Sequence, residues 1–546
     1  MNTIKLSRRT DIFAAAKAIL LLLAPAEFIA ITANAQTVYP PAIEWQRSFG
    51  GTNDDRLRSL QQTADGGFIL GGFSNSDPAS GANGNKTAAN FGNYDMWIVR
   101  TDSTGNKLWD RSFGGTDEDV LYSVRQTSDG GFILGGYTLS GANGNKTSAN
   151  SGGYDFFVVR TDANGNKLWD RSFGGTNDDQ LRALRQTADG GFILGGQSLS
   201  GPSGNKTSPL YGTNDFWVVR IDANGNKLWD RSFGGSGADR LQDLQQTKDG
   251  GFILGGVSFS IPDGNKTATN YGLNDIWLVR IDANGNKLWD RSFGGTDNDE
   301  LLSLEQTADG GFVFGGFSFS GASGNKTSAN FGQGGTKTTD FWLIRTDANG
   351  NRLWDYSFGG RDNDSLRSLD QTPDGGFICG GASTSTATGN KTSPFLGGVA
   401  DFWVVRTDAN GNRIWDQSYG GGGDDGIWSL QQTADGGFIL GGGSDSPPGG
   451  NKTSANFGTY DFWIVKLAPD APRLRVPSQS GASLRTNGIH LFLSGTSNNY
   501  YRTEFSTNLM NWTFLQTNQV AGSEVDVLDR GATNSPRRLY RARLLP

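Results

Sequence analysis

The alternation of apolar and polar positions across residues 121–173 predicts four β-strands joined by short segments. Two of the strands, Phe132–Gly136 and Asp155–Arg160, are almost continuously apolar, whereas Lys167–Phe173 alternates between apolar and polar side chains. A strand that is apolar on both faces has to be covered on both faces, while an alternating strand suits a partly exposed edge. The pattern therefore predicts a four-stranded sheet, stacked between other sheets, with Lys167–Phe173 as its outer strand.

Glycine-containing turns predict the order of the strands within this sheet. Ser128–Gly131 contains Asp-Gly-Gly and Asp162–Asn166 contains Asn-Gly. Such pairs supply the positive φ angles that tight hairpins require, and a tight hairpin joins strands that are neighbours in one sheet. We therefore predict that the strands follow one another in chain order, beginning with Leu121–Thr127 and ending with the tryptophan-containing outer strand.

This unit recurs seven times, and its most regular marker is the tryptophan of the outer strand. Successive copies of that tryptophan are 60 to 65 residues apart. A tandem unit of this length buries its apolar faces only against its neighbours, and radial packing of four-stranded sheets is the arrangement of a β-propeller. Seven units predict seven blades. The seven tryptophans are Trp45, Trp109, Trp169, Trp229, Trp289, Trp354 and Trp415.

The phase of the repeat predicts how the ring of blades closes. The first tryptophan-containing strand, residues 43–49, precedes any complete unit, and the last three strands, which end at Lys466, have no outer partner. Pairing of these two segments would complete the seventh blade. The predicted fold is therefore all-β: a seven-bladed β-propeller of four-stranded blades, closed by the N-terminal strand and followed by a small β-sandwich domain.

The repeated motifs also resemble a known family. Asp-Phe-Trp-Val-Val-Arg, Asp-Ala-Asn-Gly-Asn and Asp-Gly-Gly-Phe-Ile-Leu-Gly-Gly, with close variants, recur from residue 43 to about residue 467. This pattern is similar to the SBBP-type β-propeller repeat of secreted bacterial and archaeal surface proteins. The resemblance implies a propeller fold and a role as an interaction module.

The two ends of the chain predict segments outside the propeller. The N-terminus has basic residues, an apolar run and Ala33-Asn34-Ala35, which is the anatomy of a secretory signal peptide cleaved near Ala35. Near the C-terminus, the run Tyr501–Trp512 resembles part of a fibronectin-like β-sandwich module of secreted bacterial proteins. The predicted divisions are residues 1–35 (signal peptide), 36–467 (propeller), 468–480 (linker) and 481–546 (small β-sandwich module).

Composition narrows the functional classes. The net charge is −7, with both signs interspersed, so no basic face for nucleic acid is expected. One histidine and one cysteine in 546 residues leave few groups for acid–base or nucleophilic catalysis. A catalytic propeller should have unique polar residues in its channel-lining strands, and the deviations that stand out, Gly426–Trp428 and Asp243, are modest. We expect a monomer that is not an enzyme.

The connections between units and the long loops between second and third strands are expected to emerge on one face. Elaborated loops on a rigid scaffold are where binding usually occurs, so we predict that this face binds the ligand. Every connection ends in an aspartate, and every long loop contains Asn-Lys-Thr. The candidate residues are Asp55, Asp119, Asp179, Asp239, Asp299, Asp364 and Asp425 in the connections, and Lys86, Lys146, Lys206, Lys266, Lys326, Lys391 and Lys452 in the loops.

The aspartates have two further interpretations. They could cap their own turns, or they could bind Ca²⁺, a hard cation that prefers several oxygen ligands. The units lack the dense Asp-x-Asp-x-Asp spacing of a dedicated calcium loop, so capping is favoured, and we assign no metal or other cofactor. Trp428, an isolated deviation in the first strand of the last unit, is added as a candidate ligand contact near the central channel.

These observations favour an exported, non-catalytic binding or surface-interaction scaffold. The expected partner is an extracellular protein or a glycan, and the expected location is secreted, cell-surface or periplasmic, with no transmembrane segment in the mature chain. Two alternatives stay open: a propeller enzyme that acts on carbohydrate as a hydrolase or lyase, and a calcium-dependent lectin.

Overall fold

The computed structural model describes residues 39–78, 84–332, 337–470, 473–475, 489–495, 500–506, 510–520, 525–530 and 539–545. The secondary structure in these ranges consists of β-strands. Within them, no helix has the length and apolarity needed to span a membrane. The chain forms two compact units, Pro40–Pro469 and a second that contains Asp470–Pro546. The proposed signal peptide, residues 1–35, lies outside the described residues.

The first unit contains seven four-stranded antiparallel sheets, which we number 1 to 7 in chain order. The first strands are β2 (Asp55–Gln62), β6 (Asp119–Gln126), β10 (Asp179–Gln186), β14 (Asp239–Gln246), β18 (Asp299–Gln306), β22 (Asp364–Gln371) and β26 (Asp425–Gln432). The second strands are β3 (Phe68–Ser74), β7 (Phe132–Thr138), β11 (Phe192–Ser198), β15 (Phe252–Ser258), β19 (Phe312–Ser318), β23 (Phe377–Ser383) and β27 (Phe438–Ser444). The third strands are β4 (Asp95–Thr101), β8 (Asp155–Thr161), β12 (Asp215–Ile221), β16 (Asp275–Ile281), β20 (Asp340–Thr346), β24 (Asp401–Thr407) and β28 (Asp461–Leu467). The outer strands are β5 (Lys107–Phe113), β9 (Lys167–Phe173), β13 (Lys227–Phe233), β17 (Lys287–Phe293), β21 (Arg352–Phe358), β25 (Arg413–Tyr419) and, in sheet 7, β1 (Ile43–Phe49).

Strand β1 pairs with β28, as the phase of the repeat predicts. The pairing is antiparallel, with Phe49 opposite Phe462. Gln46 of β1 stands where the other outer strands have an aspartate, and its Oε1 accepts hydrogen bonds from Thr453 N (3.0 Å) and Trp463 Nε1 (3.2 Å). The N-terminal strand therefore supplies both the backbone pairing and the polar contacts that sheet 7 needs on its outer side.

Adjacent sheets pack through buried aromatic side chains of the third strands. The rings of Phe156 in sheet 2 and Trp217 in sheet 3 lie 4.6 Å apart, and Trp97 of sheet 1 lies 4.6 Å from Phe462 of sheet 7. All of the third strands are buried along their whole length. Sequential sheets thus share apolar interfaces, and so do the first and the last.

A repeated side-chain hydrogen bond joins the sheets near the tight turns. Oε1 of Gln126 in sheet 2 accepts from Ala64 N of sheet 1 at 2.8 Å. Oε1 of Gln62 in sheet 1 accepts from Ala434 N of sheet 7 at the same distance. The glutamine that ends the first strand therefore ties its sheet to the preceding one in six of the seven sheets, including sheet 1 to sheet 7. Gln432 of sheet 7 lacks this bond because the donor position in sheet 6 is Pro373, which has no N–H.

Each first strand contains a β-bulge opposite two glycines of the second strand. In sheet 1, Leu57 pairs with Gly72 and Ser59 with Gly71, so Arg58 is the extra residue. A Cβ at Gly72 would lie 1.9 Å from Arg56 O, which is too close for any side chain. A bulge turns its extra residue away from the regular alternation of the strand. The Gly-Gly motif therefore permits the bulge that aims the Arg58 side chain.

The second unit contains two three-stranded antiparallel sheets. Leu491, Leu493, Tyr501, Val520 and Val527 form its buried core. The stretch predicted as a linker contains the strand β29 (Arg473–Arg475), which pairs with β30 (Ile489–Ser494). One sheet is formed by β29 (Arg473–Arg475), β30 (Ile489–Ser494) and β33 (Val525–Asp529), and the other by β32 (Thr513–Gln519), β31 (Tyr500–Ser506) and β34 (Leu539–Leu544).

Two neighbouring glycines of β27 test the role of the bulge. A Cβ at Gly442 would lie 1.9 Å from Gly426 O, whereas a Cβ at Gly443 meets nothing closer than 3.7 Å. Forced overpacking costs about 1–3 kcal/mol or more. Gly442→Ala should therefore lower the free energy of unfolding in urea by that amount and the melting temperature by several degrees. The matched control Gly443→Ala should leave the free energy of unfolding within about 0.5 kcal/mol of that of the parent protein. Equal effects would contradict the steric account of the motif.

Candidate functional site

The seven aspartates predicted for the binding face are buried, and this corrects the prediction that they contact a ligand. Asp55 is 0% exposed, and so are its six counterparts. Oδ2 of Asp55 accepts hydrogen bonds from Gly51 N at 2.7 Å and from Ser76 Oγ at 2.8 Å. These contacts hold the connection between consecutive sheets, which is the capping role that the sequence favoured. The counterparts are Asp119, Asp179, Asp239, Asp299, Asp364 and Asp425.

Each of these aspartates lies beside a second buried aspartate from the third strand of the preceding sheet. At the first junction, a Cβ on Gly50 would lie 2.0 Å from Oδ1 of Asp461 and 2.9 Å from Oδ2 of Asp55, so the two carboxyl groups converge there. Oδ1 of both aspartates is buried and has no hydrogen-bond partner among the described residues. Burial is the largest cause that raises the pKa of Asp461 to about 7 and that of Asp55 to about 6. The junctions therefore favour a protonated carboxyl group near neutral pH.

The seven loop lysines are buried too, contrary to the prediction that they form a binding face. Lys86 is 6% exposed, and its Nζ donates to the carbonyl oxygens of Ser76 and Ala88, both at 2.8 Å. Burial lowers the pKa of Lys86. The ammonium groups organise the long loops internally because the chain folds back around them. The equivalent residues, Lys146, Lys206, Lys266, Lys326, Lys391 and Lys452, are 2–3% exposed.

The aspartates of the tight turns accept hydrogen bonds from the turns themselves. Oδ1 of Asp102 accepts hydrogen bonds from Thr104 N and Asn106 N, both at 2.9 Å, as in an ordinary Asx-stabilised turn. Among the described residues, no group of three or more His, Cys, Asp and Glu side chains is arranged to hold a metal ion.

A cavity lined by residues of the seven first strands is the candidate site. Its volume is about 370 Å³, and every sheet contributes residues to three rings along its wall. The bulge ring consists of Arg58, Tyr122, Arg182, Gln242, Leu302, Arg367 and Trp428. The middle ring consists of Ser59, Ser123, Ala183, Asp243, Ser303, Ser368 and Ser429. The turn-side ring consists of Gln61, Arg125, Arg185, Gln245, Glu305, Asp370 and Gln431.

Trp428 lies in the bulge ring, as its sequence position near a central channel suggested. The guanidinium carbon of Arg58 lies 3.6 Å from the centroid of the Trp428 ring, and that of Arg367 lies 3.9 Å from it. Two planar groups this close to one centroid can avoid overlap only on opposite faces. Trp428 is thus covered on both faces by cations, and it positions them through cation–π contacts.

Tyr122 extends this arrangement around the channel. The guanidinium carbon of Arg182 lies 4.3 Å from the Tyr122 ring centroid, and that of Arg58 lies 5.4 Å from it. Arginines and aromatic rings therefore alternate along much of the bulge ring, in the order Arg182, Tyr122, Arg58, Trp428 and Arg367. The neighbouring positive charges lower the pKa of Tyr122 against the opposing effect of burial, which is the largest single influence.

Arg58 is the least satisfied polar group of the ring. Its Nε and Nη1 atoms are buried and have no hydrogen-bond partner among the described residues. Burial lowers the pKa of Arg58 to about 10, and the charges of Arg367 and Arg182 act in the same direction. Arg58 is still a cation at neutral pH. Its environment therefore contains unneutralised positive charge, which is costly unless a ligand or water compensates it.

The charges of the two deeper rings are largely engaged with the protein itself. Nη2 of Arg185 lies 2.8 Å from Oδ1 of Asp243 in an ion pair. Glu305 accepts a hydrogen bond from Gln371 N at 2.8 Å, and Asp370 accepts one from Gln432 N at 2.7 Å. In other sheets Gln61 and its equivalents accept the same kind of bond from the next sheet. Glu305 and Asp370 therefore take the structural role that a glutamine has at the same position of other sheets.

Sequence reasoning missed most of the bulge ring, although a signal was present. The second and third strands of the seven units are nearly identical, but the fourth and seventh residues of the first strands differ from sheet to sheet. The second residue of these strands varies as well, so variation alone does not mark the channel. The fourth and seventh residues are the variable ones that line the cavity. The sequence analysis singled out Gly426–Trp428 and Asp243 as the chief channel deviations, but Arg58, Arg182 and Arg367 also break the sevenfold symmetry of the cavity.

Comparison with known proteins leaves the family open. No family model matches the chain. The regulatory protein FlaEY of Caulobacter vibrioides is 28% identical over 162 residues, which is 28% of this chain and 17% of that protein. The chain thus spans far less than two thirds of this curated relative.

Solved structures give only distant likenesses. An ancestral GH74 enzyme is 12% identical with a TM-score of 0.25, and the match covers 84% of this chain and 72% of that chain. An ACO/RPE65 chimera is 10% identical with a TM-score of 0.33, and the match covers 80% of this chain and 95% of that chain. These scores are below 0.5, so neither likeness supports a conclusion about ligand or reaction.

The buried aspartate pairs predict a stability that falls as the pH rises. Because folding raises these pKa values above the usual value of about 4, the folded state binds more protons than the unfolded state between about pH 4 and 7. The resulting stabilisation is present at acidic pH and is lost as the pH rises through 7. The unfolding midpoint should therefore be lower at pH 8.5 than at pH 5.5. The carboxyl groups whose pKa is about 7 are Asp95, Asp155, Asp275, Asp340, Asp401 and Asp461.

Substitution at one junction provides the matched test. Asp461→Asn removes the ionisable carboxyl group of one pair and should weaken the pH dependence of the midpoint by roughly one part in seven. Asp102→Asn, in an exposed turn, should leave the dependence between pH 5.5 and 8.5 unchanged, because the pKa of Asp102 is lowered to about 2, chiefly by the hydrogen bond from Asn106 N. A midpoint that is constant or rises across this range would contradict the assignment.

Proposed function

We propose that the chain is an exported, non-catalytic binding module, built as a closed seven-bladed β-propeller that takes its ligand into the central channel. The chain is proposed to act as a monomer outside the cytoplasm, with residues 1–35 as a cleaved signal peptide. Its partner is proposed to be an extracellular glycan or protein, and nucleic acid is not a partner. The SBBP-type family and the fibronectin-like C-terminal module remain part of this proposal.

Closure into seven blades is supported by contacts between the two ends of the series of sheets. Strand β1 pairs with β28, Gln62 bonds to Ala434, and the residues that line the cavity come from all seven first strands. A single cavity with one ring position per sheet is what radial packing around an axis produces. These contacts are the reason for proposing a ring and not an open row of sheets.

The observation that carries the binding proposal is the asymmetry of the channel wall. Packing, turns and interfaces are satisfied by near-identical residues in the seven sheets, so the fold itself does not require the bulge ring to vary. That ring nevertheless holds three arginines, a tyrosine, a glutamine, a leucine and a tryptophan. Polar groups that converge in a preformed cavity are the usual marks of a ligand site. The channel therefore replaces the lysine- and aspartate-bearing face as the proposed site.

The engagement of the channel carboxylates favours binding over catalysis. A pair of acids for glycoside hydrolysis has to be free to donate a proton and to act as nucleophile or base. Glu305 and Asp370 instead accept backbone hydrogen bonds from the adjoining sheets, and Asp243 is paired with Arg185. These contacts support structural roles for the three acids.

A channel-filling substitution tests the proposed site. Leu302 lines the cavity, and Leu302→Trp should fill much of the space without adding charge. The matched control is Leu108→Trp, because Leu108 is 58% exposed on the outer strand β5. Thermal-shift and calorimetric titrations with a panel of neutral and acidic saccharides, with and without Ca²⁺, should reveal ligands of the parent protein. Leu302→Trp should abolish their binding, and Leu108→Trp should preserve it.

Three outcomes would overturn or change the proposal. If the ligands of the panel bind Leu302→Trp and the parent protein equally well, the site lies outside the channel. If a panel member is cleaved by the parent protein and not by the channel variant, the molecule is an enzyme. A shift of the melting temperature by Ca²⁺ alone would favour the alternative function of a calcium-dependent lectin.

A further inference from the structure

We infer that the channel recognises its ligand through an oxyanion, a carboxylate, sulfate or phosphate group, which binds to Arg58 and Arg367 at the edges of Trp428. This inference rests on the proposed function and specifies the chemistry of the same site. The group would enter as part of a small molecule or as one substituent of a longer ligand.

The first support is the unbalanced charge of the bulge ring. Three of its seven residues are arginines, and none is acidic. No ion pair within 4.0 Å joins Arg58, Arg182 or Arg367 to a carboxylate of the described chain. Glu300 and Asp424 influence the pKa of Arg367 only as more distant charges. The ring therefore presents a net positive surface inside a cavity of about 370 Å³.

Arginines elsewhere in the same sheets show that this imbalance is specific to the channel. Nη2 of Arg160 in β8 lies 2.5 Å from Asp129, and Nη2 of Arg220 in β12 lies 2.6 Å from Asp189. These buried arginines of the third strands are neutralised by the tight turn beside them. Nε and Nη1 of Arg58 are also buried, but they have no acceptor among the described residues. The unpaired state is therefore a property of the site and not of the repeat.

The second support is that the faces of the Trp428 ring are not open to a ligand. A tryptophan that binds neutral sugars offers an open face for stacking, but both faces of Trp428 are covered by guanidinium groups. The ligand consequently meets the edges of the guanidinium groups, which carry their N–H donors. Planar guanidinium edges are well suited to carboxylate, sulfate and phosphate oxygens, and bonds to a charged acceptor are the stronger kind.

A groove beside the channel provides room for the rest of a larger ligand. Its volume is about 400 Å³, and it shares Arg182 and Gln242 with the bulge ring. Gln180, Asn214 and Arg240 also line it, together with the acidic Asp178 and the apolar Leu199 and Ala238. Its wall is therefore of mixed polar and apolar character. A ligand with its anionic group near Arg58 can therefore extend towards sheets 3 and 4 along a wall that offers both polar and apolar contacts.

Binding of simple oxyanions to the whole chain tests the inference. The probes are sodium glucuronate, sodium sulfate and sodium phosphate at equal ionic strength, with sodium chloride and glucose as controls. At least one oxyanion should bind with a measurable dissociation constant, and the one that binds best identifies the source of the group. Arg58→Gln and Arg367→Gln should each weaken that binding about tenfold or more, because each removes a charged donor pair.

Arg111→Gln is the matched control. Arg111 also lies over a tryptophan, with its guanidinium carbon 5.3 Å from the Trp109 ring centroid, but it is on an outer strand. This variant should bind the anions as the parent protein does. Without anions, Arg58→Gln should melt at the same temperature as the parent protein or higher, because the substitution removes an unneutralised cation. That measurement separates loss of a ligand contact from loss of folding.

The outcomes distinguish this inference from the proposed function. Oxyanions that bind no better than chloride, or that bind Arg58→Gln as well as the parent protein, would overturn it. If a neutral saccharide binds the parent protein and Arg58→Gln equally but not Leu302→Trp, the channel is the site and the anionic chemistry is wrong. If neither saccharides nor oxyanions respond to Leu302→Trp, the channel site itself is wrong.

Discussion

The β-bulge in the first strand of each sheet is the constraint on which the channel depends. The bulge leaves one residue without a partner on the neighbouring strand. Gly72 makes room for it because a Cβ there would strike the bulged backbone, and Gly71 makes room for the side chains of Leu121 and Val124 in the next sheet. Seven bulges at one level then place seven side chains around one cavity. The bulges therefore create a ring of side chains that face the cavity and do not pack between the sheets.

The glycine-marked hairpins and the alternating outer strand made the architecture predictable. Four strands per unit, their order, and the pairing of residues 43–49 with the strand that ends near Lys466 all follow from turn chemistry and apolar patterning. These are local signals repeated seven times. A small β-structured module was also predicted for the C-terminal unit, but the strand Arg473–Arg475 lies in the stretch predicted as a linker, because it is only three residues long and flanked by prolines.

The functional residues were less predictable because charge in a sequence does not reveal burial. Asp55 begins β2, Lys86 lies in a long loop, and the sequence predicted both as exposed ligand contacts. The surrounding loops instead fold over them and use them as internal hydrogen-bonding centres. Arg58 reads as a surface residue of a strand, but it lies in a channel against Trp428. The position of the β-bulge is what distinguishes the channel-facing Arg58 from the buried Asp55 and Lys86. A bulge depends on how two strands pair, and composition does not reveal that pairing.

Selenate offers the most direct measurement, because it is an oxyanion whose selenium atom can be located by anomalous diffraction. Crystals of the protein soaked in sodium selenate should show a selenium peak in the channel, within hydrogen-bonding distance of Arg58 or Arg367. The peak should be absent from crystals of Arg58→Gln grown and soaked in the same way. Selenate that occupies only surface sites, with an empty channel, would contradict the central claim that the bulge ring is an anion-binding site.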